Sequence, residues 1–229
     1  IIGNRIVASN GIYVSTDANN TEVRGNINSG TTDPNRGISV RSNFNQIVDN
    51  NFYGSESWQT YPLPTRGLDV RGNYSNFTGN MVAGYNYSIF LDNFAPYQTT
   101  GNIFYNNIFN TTGYLYQNSI SRDNFNSTIR PGQNIIGGKN IGGNYWTNPE
   151  GNGYSDLCDD INRDSICDEK LNLTNAPHFD PRVEKMDFVP LASFRPIAIY
   201  GCQNITEPGI YVLPIAGRID YVPMLHGDY

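Results

Sequence analysis

Between Asp156 and Asp168 the chain places five Asp, one Asn and two Cys within thirteen residues: Asp156-Leu157-Cys158-Asp159-Asp160-Ile161-Asn162-Arg163-Asp164-Ser165-Ile166-Cys167-Asp168. Carboxylates packed this closely repel one another unless a hard cation sits among them. Oxygen-bearing side chains at alternate positions, Asp160, Asn162 and Asp164, can wrap round Ca²⁺, with the carbonyl of Ile166 and the carboxylate of Asp168 completing the shell. Calcium is therefore the expected cofactor. Magnesium wants fewer protein ligands and more water, and zinc through Cys158 and Cys167 lacks a second pair of ligands. The plain alternative is a solvated acidic loop. Cys158 and Cys167 stand nine residues apart on the same loop. In an exported protein they are expected to form a disulfide, which leaves Cys202 over.

The Asp-rich spacing resembles the calcium loops of thrombospondin type 3 repeats and dockerins. Ser165 departs from them where Gly would make the turn, and Leu171, at the twelfth position, is not the Glu of an EF-hand. Copper chemistry would need His, Met or Cys close together. His178 and His226 are the only histidines and the three Met are dispersed.

Eight Asn-x-Ser/Thr sequons occur, at Asn19, Asn73, Asn76, Asn86, Asn110, Asn126, Asn172 and Asn204. Chance in an Asn-, Ser- and Thr-rich chain accounts for some of them. Most lie beside expected turns, where an oligosaccharyltransferase reaches its acceptor, so covalent N-glycans and secretion are expected. The formal net charge of −6 and the absence of Lys/Arg clusters argue against a nucleic-acid partner. No run of 18 apolar residues occurs, so no membrane-spanning helix is expected.

The elements that must carry these groups are legible in a repeat. A Gly-Asn or Asp-Asn pair recurs with Asn at 4, 26, 50, 80, 102 and 124, at intervals of 22, 24, 30, 22 and 22. Between pairs lies a short strand-like segment: Gly11-Ile12-Tyr13-Val14, Gly37-Ile38-Ser39-Val40, Gly67-Leu68-Asp69-Val70, Ser88-Ile89-Phe90-Leu91 and Gly113-Tyr114-Leu115-Tyr116. The period is too short for a βαβ unit, and no helical periodicity intervenes. One coil of a solenoid fits: an all-β, right-handed parallel β-helix. Stacking puts Ile12, Ile38, Leu68 and Ile89 in one interior column and Val14, Val40, Val70 and Leu91 in the next. Asn tolerates a left-handed corner, and its amide can bond to the Asn of the next coil. The expected organisation is a β-helix over 1–147, a terminal cap with the calcium loop over 148–191, and an extended arm or the start of a second β-helix over 192–229.

Gly142-Gly143-Asn144-Tyr145-Trp146, Gly153-Tyr154-Ser155-Asp156, the Asp/Cys loop and Asp187-Phe188-Val189-Pro190-Leu191 together resemble the NosD-like β-helix proteins of archaeal cell surfaces. Gly201-Cys202-Gln203-Asn204-Ile205-Thr206 onward is similar to the phrase that opens a β-helix in such proteins. The resemblance implies an exported β-helix and no particular activity. Sugar-cleaving β-helices carry ionisable residues on an outer sheet. The outward positions here, Tyr13, Ser39, Asp69, Phe90 and Leu115, include one ionisable group, and Arg24, Arg41 and Arg71 are expected to flank corners. No catalytic constellation assembles. The expectation is a structural subunit of an extracellular surface layer, sheath or filament that meets copies of itself through its solenoid ends and C-terminal arm. A carbohydrate-binding adhesin or a polysaccharide-degrading enzyme is the alternative.

Overall fold

Alternating apolar and polar residues between Gly- and Asn-bearing corners form strands too short to bury a face alone, so each coil must stack on the next. The computed structural model describes residues 1–7, 11–29, 36–54, 64–91, 99–117, 122–173 and 185–193, with the backbone alone at 212–215 and 218–221. Three parallel sheets result. The first runs β1 (Arg5–Ile6), β4 (Ile27–Ser29), β7 (Asn51–Tyr53), β10 (Met81–Ala83), β13 (Ile108–Asn110) and β18 (Tyr145–Thr147). The second runs β2 (Ile12–Val14), β5 (Arg36–Val40), β8 (Arg66–Val70), β11 (Tyr87–Leu91) and β14 (Gly113–Gln117). The third runs β3 (Glu22–Arg24), β6 (Gln46–Val48), β9 (Asn76–Thr78), β12 (Thr100–Tyr105) and β15 (Arg122–Asn124). Each coil visits the three sheets in turn. This is a parallel β-solenoid.

The register confirms the interior columns. Ile12, Ile38, Leu68, Ile89 and Leu115 stand one above another on the second sheet, as do Val14, Val40, Val70 and Leu91. On the third sheet Val23, Ile47, Phe77 and Phe104 align, and the rings of Phe77 and Phe104 stack at 4.5 Å. The first sheet contributes Phe52, Val82, Phe109 and Trp146. All of these are buried, and each large apolar side chain removed from water stabilises the stack by about 1.5–3 kcal/mol. One outward position is corrected: Leu115 pairs with Ile89 and points inside, and Tyr116 takes the outward place against Phe90.

The corner asparagines form ladders, but not the single ladder that the Gly-Asn spacing suggests. Asn4, Asn26, Asn50, Asn80, Asn107 and Asn144 make one row, each side-chain amide donating to the Oδ1 of the next at 2.9–3.1 Å. The left-handed residue is the one before the ladder Asn, not the Asn itself, at the first five of the six rungs: Gly3, Gly25, Asp49, Gly79 and Asn106 all have positive φ. Gly, Asn and Asp are the residues that adopt this conformation at least cost, which is why the repeat reads Gly-Asn, Asp-Asn or Asn-Asn.

Asn102 belongs to a second corner. There Asn20, Phe44, Tyr74 and Gly101 take the left-handed position, and the residues after them, Thr21, Asn45, Ser75 and Asn102, form a row that ends on Asp123. Asn124 is in neither row. A third row uses side-chain oxygens alone: Asn19 accepts from the Asn43 N–H, Asn43 from Asn73 and Asn73 from Thr100.

Residues 1–193 form one compact unit, which also holds the antiparallel pairs β16 (Arg130–Pro131) with β17 (Asn140–Ile141) and β19 (Leu171–Asn172) with β20 (Met186–Asp187), and one turn of helix, α1 (Tyr154–Leu157). Residues 194–229 form a second unit, in which β21 (Val212–Ile215) pairs antiparallel with β22 (Arg218–Tyr221). Cys202 and His178 lie outside the described residues.

Candidate functional site

The Asp/Cys loop is closed by a disulfide between Cys158 and Cys167, as their spacing suggests. Inside the ring the acidic side chains turn toward the backbone. Asp160 accepts from the N–H groups of Asp164 at 2.9 Å and Ser165 at 3.0 Å. Asn162 Oδ1 accepts from Asp164, Asp164 Oδ1 from Ile166, and Asp168 Oδ2 from Ile161, each at 2.9 Å. These bonds coil the loop so that all four side chains face its own interior turn. Ser165, flagged as the departure from Gly, has φ +73°, the conformation that Gly would favour there.

Among the described residues no three His, Cys, Asp or Glu side chains converge in a ready metal cage. The donor set is hard oxygen throughout, and a carboxylate that accepts an N–H keeps further lone pairs for an ion. The residues fit a calcium ion chemically. The loop is tied to its neighbours by Asn140 Nδ2 to the Asp164 carbonyl at 2.8 Å and by the Cys167 N–H to the Pro190 carbonyl at 2.8 Å.

The two terminal motifs meet. Asp187 Oδ2 accepts from the Asn144 N–H at 2.8 Å and from the Trp146 indole at 2.8 Å, and Oδ1 accepts from Val189 at 3.1 Å. Burial pushes the Asp187 carboxyl up to about 7, against the pull of these N–H donors and of Asn144 Nδ2 toward the ionised form. A Cβ on Gly143 would sit 2.1 Å from Asp187 Oδ1, so the second glycine of the Gly-Gly-Asn-Tyr-Trp run has to be Gly. Asp156 is likewise structural: it accepts from the Tyr145 hydroxyl at 2.6 Å and the Gly153 N–H at 2.7 Å.

Of the sequon asparagines, Asn19 and Asn172 are exposed, and Asn73, Asn76, Asn86, Asn110 and Asn126 are half-buried. Asn204 lies outside the described residues. Asn19 and Asn73 use Oδ1 in the third ladder, and no bond of their Nδ2 is seen among the described residues. Asn76 and Asn126 line one open groove on the third sheet with Tyr105 and Arg130.

A cluster that sequence reasoning missed sits on the outer face of the second sheet. Asp69, fully buried, lies 3.1 Å from Arg36 Nε, 3.5 Å from Arg41 Nη2, 3.9 Å from Arg66 Nη1 and 3.8 Å from Arg71 Nε. Arg41 and Arg71 thus converge instead of flanking separate corners. The Arg24 expectation holds better, since that residue pairs with exposed Glu22 and Asp49. Arg66 lies 3.8 Å over the Phe90 ring, and Phe90 stacks on Tyr116 at 4.2 Å. The signal available in the sequence was the Arg-Gly-x-x-Val-Arg pattern shared by β5 and β8.

The chain matches no protein-family model, no curated protein and no solved structure. Among the described residues no helix is long and apolar enough to cross a membrane.

Proposed function

We propose that the protein is a NosD-like structural subunit of an extracellular assembly, a surface layer, sheath or filament, stabilised by calcium and carrying N-glycans. The observation that carries this reading is the polar ladder running rung by rung from Asn4 to Asp187. Buried hydrogen-bonded rows of this length oppose slippage and bending of the coils, a property suited to a rigid building block. The acidic loop, closed by its disulfide at the same end as Asp187, holds Ca²⁺ through Asp160, Asn162, Asp164, the Ile166 carbonyl and Asp168. Copies meet through the solenoid ends and the C-terminal arm, and glycans occupy the exposed Asn19 and Asn172 first.

Near-atomic imaging of native material tests all three parts together. Ordered contacts between copies, density beyond Asn Nδ2 and a peak inside the Asp160–Asp168 loop are expected. Native material that is monomeric throughout would sink the proposal.

A further inference from the structure

The second sheet exposes an arrangement that a scaffold does not need. Arg36 and Arg66 lie directly opposite each other on neighbouring parallel strands. Arg41 and Arg71 follow the same two strands immediately and form a second such pair. Strands lie about 4.8 Å apart, and like charges directly opposite destabilise a sheet. Four guanidiniums thus surround Ser39 and Asp69, the in-register pair between them. Arg66 and Arg71 engage further groups, so the case rests on the other two. Arg36 and Arg41 share Asp69 as their acidic partner among the described residues: two cations lean on one carboxylate. Burial lowers the pKa of Arg41, Asp69 opposes that effect, and Arg71 and Arg36 add to it.

An anion is the ligand this geometry takes. Planar guanidiniums set as a fork match carboxylate and sulfate oxygens, and partial burial strengthens each contact. The rim supplies the second half of a recognition surface. Tyr13 lies in register with Ser39, one strand beyond it, and is 59% exposed. Such a ring offers an apolar face and a polar tip, the combination that packs on a pyranose ring.

We infer that the outer face of the second sheet binds an acidic saccharide, its carboxylate or sulfate held by Arg36 and Arg41 above Asp69 and its ring resting on Tyr13. This goes beyond the scaffold proposal and does not depend on it.

The test is calorimetric titration of the full chain with three linear hexasaccharides: an oligogalacturonate, a sulfated oligosaccharide and uncharged maltohexaose. Binding of the carboxylated or the sulfated probe at least tenfold tighter than the neutral one is expected, and the tighter of the two names the anion. Arg36→Gln and Arg41→Gln, both at partly exposed side chains, are each expected to weaken that binding at least fivefold with the thermal midpoint unchanged. Tyr13→Ala should weaken all sugars while leaving the preference for charge. Should either Arg variant fail to fold, the wild-type titration repeated at high salt serves instead: affinity for the acidic probe must fall while that for maltohexaose stays level. Equal affinity for charged and neutral probes, no binding of any probe at millimolar concentration, or full binding by a folded Arg36→Gln/Arg41→Gln variant overturns the inference.

Discussion

The backbone N–H of Asn144 lies 2.8 Å from Oδ2 of Asp187, a residue 43 positions later, and this contact ends the longest ladder among the described residues. Every link before it has the same polarity: a backbone N–H and a side-chain amide donate to the Oδ1 of the next coil. The last position therefore needs an acceptor and has nothing further to donate to. A carboxylate accepts on both oxygens, where an amide accepts on one and leaves its own N–H groups over. The second ladder closes in the same way, with Asp123 accepting from the Asn102 N–H at 2.9 Å and its Nδ2 at 3.0 Å.

The polarity makes Asp187 sensitive to replacement. Asp187→Ala leaves the Trp146 indole and the Asn144 N–H buried without partners, at about 1–3 kcal/mol for each unsatisfied group. A loss of about 3 kcal/mol or more in urea unfolding is expected. A variant as stable as the parent would contradict the capping role.

An asymmetry between the ladder interior and its end follows. Asn80→Asp replaces a buried donor to the Asn107 Oδ1 with a carboxylate facing it, so charge and lone pairs meet without a proton. Asp123→Asn keeps an oxygen for Asn102. Asn80→Asp should destabilise by at least twice as much as Asp123→Asn when both are measured by chemical denaturation.

Asp187 also sets a pH dependence. Its folded pKa of about 7 stands above the usual carboxylate value of about 4, so the native state holds the proton more tightly than the unfolded chain. The resulting stabilisation is fully present below about pH 4 and is lost as pH rises to about 7. The slope of unfolding free energy against pH in this window should flatten in Asp187→Asn. An unchanged slope would assign the pH dependence elsewhere.

Closing the nine-residue separation between Cys158 and Cys167 removes chain entropy from the unfolded state, worth about 2.5 kcal/mol on the loop-length relation. Cys158→Ser/Cys167→Ser should lower stability by about that amount. Intact-mass analysis after alkylation should show these two sulfurs protected in the parent.

Calcium at roughly a hundredfold its dissociation constant should stabilise the fold by about 2.7 kcal/mol, read as a rise in thermal midpoint that EGTA reverses. Asp160→Ala and Asp164→Ala should abolish the rise. Ser165→Gly relieves a left-handed Ser and should raise calcium-free stability by about 0.5–1 kcal/mol, less the Lys139 N–H bond to its Oγ. A midpoint indifferent to calcium would leave the loop as a solvated, disulfide-closed turn.

Much of the architecture was legible because it is local. Ile12, Ile38, Leu68 and Ile89 announce their column through the two-residue alternation of a strand, and Cys158 and Cys167 sit close enough to pair without knowledge of the fold. The ladder membership was not legible. Gly101-Asn102 and Gly79-Asn80 look alike in sequence, yet they turn different corners, and Asn106-Asn107 hides the true successor of Asn80 behind an Asn in the left-handed place.

The sequence by itself therefore determined the coil, its aliphatic interior and the disulfide ring, since these depend on alternation and short separations. Tertiary structure alone decided which asparagines share a row, that Asp187 and Asp123 close the rows, and that Arg36, Arg41, Arg66 and Arg71 gather at Asp69. Successive ladder residues are separated by 22, 24, 30, 27 and 37 positions. With loops of such unequal length, partners across coils are set by the stacking of strands, and no fixed spacing encodes them.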